Sequence, residues 1–132
     1  MLAIRIQAGT AIGGPLITLI GDASLAEVDR LSLELRRVQS SHPSRAAIDV
    51  SGVSFIASLA IGTLVEFASG VRTRHGRVAL VGAQGMVLDA FQRLRMDALF
   101  TICPTAAAVE QCWGPAQQAQ SVREASAAPQ SL

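Results

Sequence analysis

The stretch IDVSGVSFIASLAIG, residues 48–62, decides how the chain folds. It overlaps a short apolar run, residues 46–50, that is bounded by turn residues, as a strand covered on both faces of a sheet would be. A turn is expected at Ser51 and Gly52, and Ser58 then stands before a mostly apolar helical segment. This order predicts a central strand followed by a helix that begins at or near Ser58.

Two strands and a helix are predicted upstream of this stretch. Residues 2–7 alternate apolar and polar side chains, and a second apolar run, residues 15–20, follows a glycine-rich turn, which is typical of a β-hairpin. Ser24 and Glu27 have the spacing of a capping box, in which each side chain accepts a hydrogen bond from a backbone amide. Apolar residues, Leu25 the first of them, then recur at intervals of three and four. We therefore expect the first helix to begin at Ser24 with Leu25 on its apolar face.

Downstream, strands and helices continue to alternate. The patterns predict strands at residues 77–81 and 98–102 and helices at residues 85–95 and 105–113. The fold class expected from this alternation is α/β: a mixed β-sheet with an N-terminal antiparallel hairpin, flanked by about four helices. We expect residues 1–113 to form one domain. Residues 114–132 contain almost no large apolar side chain, which predicts a disordered C-terminal tail.

The composition is typical of a single globular domain. The 132 residues are 50% hydrophobic and 16% charged. No apolar stretch reaches the roughly 18–20 residues that a membrane-spanning helix needs, and the N-terminus lacks a signal-peptide pattern. We expect a cytoplasmic protein without membrane insertion. Cys103 and Cys112 fit reduced, buried thiols better than a disulfide framework.

Enzymatic and nucleic-acid-binding functions have no support in the sequence. Lys is absent, so the chain cannot contain a P-loop. His42 and His75 are far apart and have no metal-ligand partners at a suitable spacing, and no Gly-x-Ser-x-Gly motif precedes a helix. The net charge of +1 does not favour a nucleic-acid partner. We expect a non-enzymatic protein with no metal and no cofactor.

Two further features each have two interpretations. A basic cluster lies where the second helix ends: Arg72, Arg74, His75 and Arg77. These residues either complement the negative end of the helix dipole on a solvated surface or form an electrostatic contact with a partner. Trp113 either packs the last helix onto the core or anchors a protein interface.

Residues 48–62 resemble the signature of STAS domains, a family that includes the bacterial anti-sigma factor antagonists. The family pattern is roughly Asp-Leu-Ser-x-Val-x-Phe-Ile-Asp-Ser-Ser-Gly-Leu-Gly. Six residues match it in register: Asp49, Val53, Phe55, Ile56, Ser58 and Gly62. Segments similar to the closing strands and helix of the family follow, so that the resemblance covers about residues 2–113 in one unbroken order.

The resemblance implies a regulatory module that binds proteins in the control of transcription, for example in a stress response. In anti-sigma factor antagonists, the surface around the start of the second helix binds an anti-sigma factor that is a serine kinase, which frees a sigma factor. The serine corresponding to Ser58 is the phosphorylation site, and a serine phosphatase is a further expected partner. The expected partner-binding residues are Asp22, Ser24, Ala57, Ser58, Leu59, Ala60 and Ile61.

The chain departs from the family pattern beside Ser58. Ala57 replaces the usual Asp, Leu59 the second Ser and Ala60 the Gly. The resulting apolar helix start either docks a partner constitutively or is buried, and Ser58 is either a phosphorylation switch or only the cap of the helix. The alternative function is that of a non-phosphorylated STAS scaffold or a subunit of a stress-signalling or transport assembly.

Overall fold

Five strands and four α-helices make up the part of the chain that the computed structural model describes, residues 2–8 and 13–113. The strands are β1 (Leu2–Gln7), β2 (Leu16–Ala23), β3 (Arg45–Ile56), β4 (Arg77–Val81) and β5 (Thr101–Cys103). The helices are α1 (Val28–Gln39), α2 (Ser58–Thr73), α3 (Gly85–Arg93) and α4 (Val109–Trp113). Short 3₁₀ turns precede α1, β5 and α4. The predicted α/β class is confirmed.

The strands form one mixed sheet in the order β1-β2-β3-β4-β5. β1 and β2 form the predicted antiparallel hairpin, and β2, β3, β4 and β5 are parallel to one another. Helices α1, α2 and α3 connect successive parallel strands, as parallel pairing requires. The start of α2 therefore lies at the sheet edge where β2 and β3 end, and the end of α2 lies at the opposite edge.

Each face of the sheet packs against its own apolar core. Ala46 and Ile48 belong to the larger core, to which α1, α2 and α3 contribute, whereas Ala47 between them belongs to a smaller core with Val109 and Trp113 of α4. A strand that is buried on both faces needs such a continuous apolar run. The prediction that residues 46–50 form the central strand is confirmed.

The predicted turn at Ser51 and Gly52 is wrong, because β3 runs through both residues to Ile56. The register between β2 and β3 shifts twice along this segment, so β3 carries extra residues, as in a β-bulge. The carboxylate of Asp49 accepts hydrogen bonds from the backbone amide and the hydroxyl of Ser51, at 2.9 and 2.7 Å. Ser51, one of the two residues that suggested a turn, therefore bonds to Asp49 inside a distorted strand.

The first helix begins later than predicted, and the capping box between Ser24 and Glu27 does not form. A 3₁₀ turn, Leu25–Glu27, comes first, and the amide of Glu27 donates to the carbonyl of Ser24 at 3.0 Å. In the described structure neither side chain caps the helix, and the Glu27 carboxylate pairs with Arg30 at 3.3 Å. Because of the 3₁₀ turn, Glu27 is the residue before α1 and cannot reach back as a capping-box carboxylate does.

The elements near the C-terminus are shorter than predicted. Helix α3 ends at Arg93, and Arg95 has a left-handed backbone with φ of 57°. The last strand begins only at Thr101, after a further 3₁₀ turn.

The predicted disordered tail, residues 114–132, lies outside the described residues and stays a prediction. Among the described helices, none has both the length and the apolar character needed to cross a membrane.

Candidate functional site

Most of the residues predicted to bind a partner meet where β2 and β3 end and α2 begins. The amide of Ala57 donates to the carbonyl of Ala23 at 2.8 Å, which extends the pairing of β2 with β3 up to the helix. Ser24 and Ser58 directly follow these two residues in the chain. The two serines therefore lie on the same edge of the sheet.

Ser58 is the exposed first residue of α2. Ala57 before it has an extended backbone, with φ of −78° and ψ of 154°, and occupies the N-cap position. The interpretation of Ser58 as the helix cap is therefore wrong. Within the described structure, no side chain caps this end of α2, and its first turn contains no acidic residue. Because the first amides of a helix have no partner within the helix, the positive end of the α2 dipole lies beside the Ser58 hydroxyl.

The apolar start of α2 is divided between the surface and the core. The side chain of Leu59 is 60% exposed, whereas Ala60 and Ile61 are only 1% and 6% exposed. Successive residues of a helix point in directions about 100° apart, so the next two residues after Leu59 turn toward the sheet. Of the two interpretations of this apolar helix start, burial holds for Ala60 and Ile61, which both pack into the larger core; their contact with a partner stays a prediction. Leu59 remains available to a partner.

The polar part of the surface around Ser58 consists of that residue and Asp22, Ser24 and Ser54. Asp22 is exposed, and its carboxylate accepts a hydrogen bond of 2.7 Å from the Ser54 hydroxyl, which links the ends of β2 and β3. Ser24 is half-buried and precedes the 3₁₀ turn without capping it through its side chain in the described structure. Ser54 was not among the predicted site residues, and only its pairing with Asp22 places it there.

An exposed apolar group beside these residues was also missed from the sequence. Leu25 is 64% exposed and Phe55 is 43% exposed. We call Leu25, Phe55 and Leu59 together the apolar rim. Phe55 is paired with Asp22 in the sheet, and the 3₁₀ turn that holds Leu25 contacts α2. Leu25 was expected on the buried face of the first helix, but the 3₁₀ turn changes its direction. Phe55 is a signature residue, so the family pattern contained a signal for it.

The basic cluster lies at the other end of α2 from Ser58. Arg72, Arg74 and His75 are exposed, and Arg77 is half-buried at the start of β4. The cluster is therefore not part of the surface around Ser58.

Trp113 and one of the two cysteines are part of the core. The Nε1 of Trp113 donates to the Thr101 hydroxyl at 2.9 Å, and its ring is buried, so it packs the last helix onto the sheet as one interpretation held. Both thiols are free, but only Cys103 is buried, whereas Cys112 is exposed. The prediction of two buried thiols is correct for Cys103 and wrong for Cys112.

Several solved structures share this fold. An anti-sigma factor antagonist from Mycobacterium paratuberculosis superposes with a TM-score of 0.74 at 18% identity, covering 84% of this chain and 92% of that one. The Bacillus cell fate determinant SpoIIAA in its phosphorylated form has a TM-score of 0.66 at 14% identity, covering 83% and 98%. For a sulfate transporter family protein from Wolinella succinogenes, the TM-score is 0.60 at 18% identity, covering 83% and 86%. At these identities the likeness establishes the fold alone.

Among curated proteins, no sequence matches the chain significantly. The family model of the STAS domain matches residues 4–109. This match spans every strand except the first residues of β1, and it includes the whole surface around Ser58. The chain belongs to the STAS domain family.

Proposed function

We propose that this chain is an anti-sigma factor antagonist, a cytoplasmic module that binds an anti-sigma factor with serine kinase activity and thereby frees a sigma factor. STAS domains are generally binding modules, so the kinase activity belongs to the partner. The observation that carries the proposal is the exposed, uncapped start of α2, with Ser58 at the signature position. Two solved structures with this fold are described as anti-sigma factor antagonists, which supports the proposal.

The apolar rim supplies the contact that a partner would bury. Complete burial of a Leu or Phe side chain contributes roughly 1.5–3 kcal/mol. Leu25, Phe55 and Leu59 are each about half exposed, so each has roughly 1 kcal/mol left to contribute. Asp22 and Ser54, whose hydrogen bond lies beside Phe55, provide polar groups at the margin of this contact.

Phosphorylation of Ser58 would act on binding rather than on folding. The hydroxyl is exposed and has no hydrogen-bond partner among the described residues. A phosphate there would lie beside the uncapped amides of α2, which favour a negative group. It would also add about −1.5 to −2 charges next to Leu59, which disfavours burial of the apolar rim against a partner. A serine phosphatase would restore the binding state.

The test is capture of the partner from native cells with tagged wild-type chain and with variants. We expect an anti-sigma factor with a kinase domain to be captured by the wild type and by Ser69→Asp, a control at an exposed serine near the other end of α2. Ser58→Asp and Leu59→Arg should lose it. Capture that is equal for all four chains, or recovery of no such kinase, would contradict the proposal.

The phosphorylation step is tested separately with the captured kinase and ATP. Intact-mass spectrometry should detect the addition of one phosphate to the wild type and to Ser69→Ala but not to Ser58→Ala. A phosphate that is still added to Ser58→Ala would remove Ser58 from the proposal while leaving the binding surface in place.

The alternative is a non-phosphorylated scaffold or a subunit of a stress-signalling or transport assembly. The departures at Ala57, Leu59 and Ala60 support it, and the same fold in a sulfate transporter family protein is compatible with it. In that case Ser58 stays unmodified in cells, and capture recovers a permease or a large multi-copy particle. Mass spectrometry of the captured material distinguishes the two functions.

A further inference from the structure

A groove of about 430 Å³ lies where α2 ends and β4 and β5 begin, at the opposite edge of the sheet from Ser58. Its polar lining consists of Arg72 in the last turn of α2, His75 just after the helix, Arg77 at the start of β4, and Thr101 at the start of β5. Val78 and Leu99 form the apolar part of the groove wall. We call this site the basic groove. No acidic side chain lines it among the described residues.

The end of α2 does not need these cations as caps. The amide of His75 donates to the carbonyl of Arg72 at 2.8 Å, and the amide of Gly76 donates to the carbonyl of Val71 at 2.9 Å. This pair of bonds is a Schellman motif, which satisfies the last carbonyls of the helix with backbone amides. The guanidinium groups are therefore not required to hydrogen-bond the helix end.

Arg72 differs from three of the four basic residues of α1 and α3, the exception being Arg36. Arg30, Arg37 and Arg93 each pair with an acidic residue three or four positions earlier in the chain. For Arg72 the corresponding positions hold Ala68 and Ser69. In the described structure its guanidinium forms no ion pair. Its charge is therefore available to a ligand.

The backbone at His75 is left-handed, as it also is at His42 and Arg95. His75 occupies the position of the Schellman motif where glycine is preferred, and its φ is 67°. A residue other than glycine in this left-handed region is strained, and such residues concentrate at ligand sites. The side chain of this strained residue is an imidazole, and it lies on the wall of the groove.

We propose that the basic groove binds a small phosphate-bearing anion. The Arg72 guanidinium offers paired N–H donors that match phosphate oxygens, and Arg77 adds a positive charge on the same wall. The Thr101 hydroxyl oxygen accepts from Trp113, so its own proton remains as a donor. The groove volume falls within the range of about 300–1,000 Å³ that is usual for small-ligand sites. Val78 and Leu99 can pack against the organic part of a phosphate ester.

The proposal is tested by nuclear magnetic resonance titration of the full chain with inorganic pyrophosphate and with glycerol 3-phosphate, against sodium chloride at equal ionic strength. We expect saturable shifts of the backbone amides of Arg72, Gly76 and Thr101 with a phosphate probe only. Tighter binding of the ester would identify a phosphate ester as the ligand, and tighter binding of pyrophosphate would identify a free inorganic anion. Absence of saturable shifts with both probes would overturn the proposal.

Variants separate a built site from general positive charge. Arg72→Gln should weaken binding about tenfold, because it removes a charged pair of donors. Arg74→Gln removes the same charge from an exposed residue that does not line the groove, and should change the affinity less than about twofold. Equal losses in the two variants would overturn the proposal. Arg77→Gln is a third variant, checked for folding because Arg77 also donates to the Trp113 carbonyl at 3.4 Å.

The basic groove and the surface around Ser58 lie at opposite ends of α2, so the two proposals are independent. Loss of anion binding in Arg72→Gln should leave capture of the partner unchanged.

Discussion

The guanidinium of Arg45 lies 5.1 Å from the centre of the Trp113 ring. Arg45 is only 9% exposed, so the face of the indole provides a favourable environment for a charge at the start of the central strand. The other side of the contact is fixed by the hydrogen bond from the Trp113 ring to Thr101. Helix α4 has only five residues and would not be stable alone, so Trp113 holds it on the sheet.

Truncation of this ring is expected to destabilise the domain. Trp113→Ala should lower the free energy of unfolding by about 3 kcal/mol, because it opens the smaller core and removes the contact with Arg45. Trp113→Phe should lower it by about 1–2 kcal/mol, since an aromatic ring remains but the hydrogen bond to Thr101 is lost. Urea denaturation followed by circular dichroism measures both.

Leu94→Ala is the matched control, because Leu94 is a large apolar side chain that is exposed after α3. It should change the free energy of unfolding by less than about 0.5 kcal/mol. A loss in Trp113→Ala no greater than that in Leu94→Ala would contradict the role given to Trp113.

The contrast between Ser58 and Leu25 illustrates what could be predicted from the sequence. The central strand and the start of α2 follow from local patterns: an apolar run at residues 46–50, and Ser58 before helical periodicity. Leu25 obeys the same periodicity but is exposed, because the chain forms a 3₁₀ turn before α1. Periodicity alone does not reveal a change of helix type.

The candidate site could be located but not resolved from the sequence. The signature placed the surface at the start of α2. It did not distinguish Leu59 from Ile61, since exposure depends on how α2 is rotated against the sheet. The contact of Ser54 with Asp22 spans 32 positions of the chain and depends on a register that contains a bulge. Such contacts are set by tertiary structure.

The opposite environments of Leu59 and Ile61 give a prediction about the apolar rim. Leu59→Ala should leave the free energy of unfolding within about 0.5 kcal/mol of the wild type, because the side chain is exposed. It should weaken binding to the captured anti-sigma factor about fivefold, the effect of losing roughly 1 kcal/mol of burial. Isothermal titration calorimetry measures the affinity.

Ile61→Ala provides the contrast. It should lower the free energy of unfolding by about 2–4 kcal/mol, because it leaves a cavity in the larger core. If Leu59→Ala destabilises the fold while binding is unchanged, the apolar rim is a structural feature and not a contact surface.

The Cys103 thiol gives a prediction about alkaline pH. Burial, followed by the neighbouring Cys112 thiol, raises the pKa of Cys103 to about 12 from an ordinary value of 9.0. The unfolded chain then binds fewer protons than the folded chain between these values, so the free energy of unfolding should fall as pH rises from about 9 to about 12. Below about pH 9 this contribution is fully present. The chain contains no Tyr and no Lys, so few other groups titrate in this window.

Urea denaturation at a series of pH values tests this prediction in the wild type and in Cys103→Ala. The variant should lose most of the decline above pH 9, whatever its stability at neutral pH. An equally steep decline in both proteins would assign the effect to a group other than Cys103.

Two variants of His75 separate the effect of its left-handed backbone on stability from the effect of its imidazole on ligand binding. His75→Gly should raise the free energy of unfolding by about 1 kcal/mol, because glycine adopts a φ of 67° without the steric clash of a β-carbon. The same change removes an imidazole from the basic groove, so binding of pyrophosphate should weaken. His75→Ala removes the imidazole but keeps the β-carbon, and should weaken binding equally without the gain in stability. Thermal denaturation and the pyrophosphate titration measure the two effects. A gain in stability in both variants would mean that the imidazole, and not the backbone, is the source of strain, whereas unchanged binding in both would exclude His75 from the anion site.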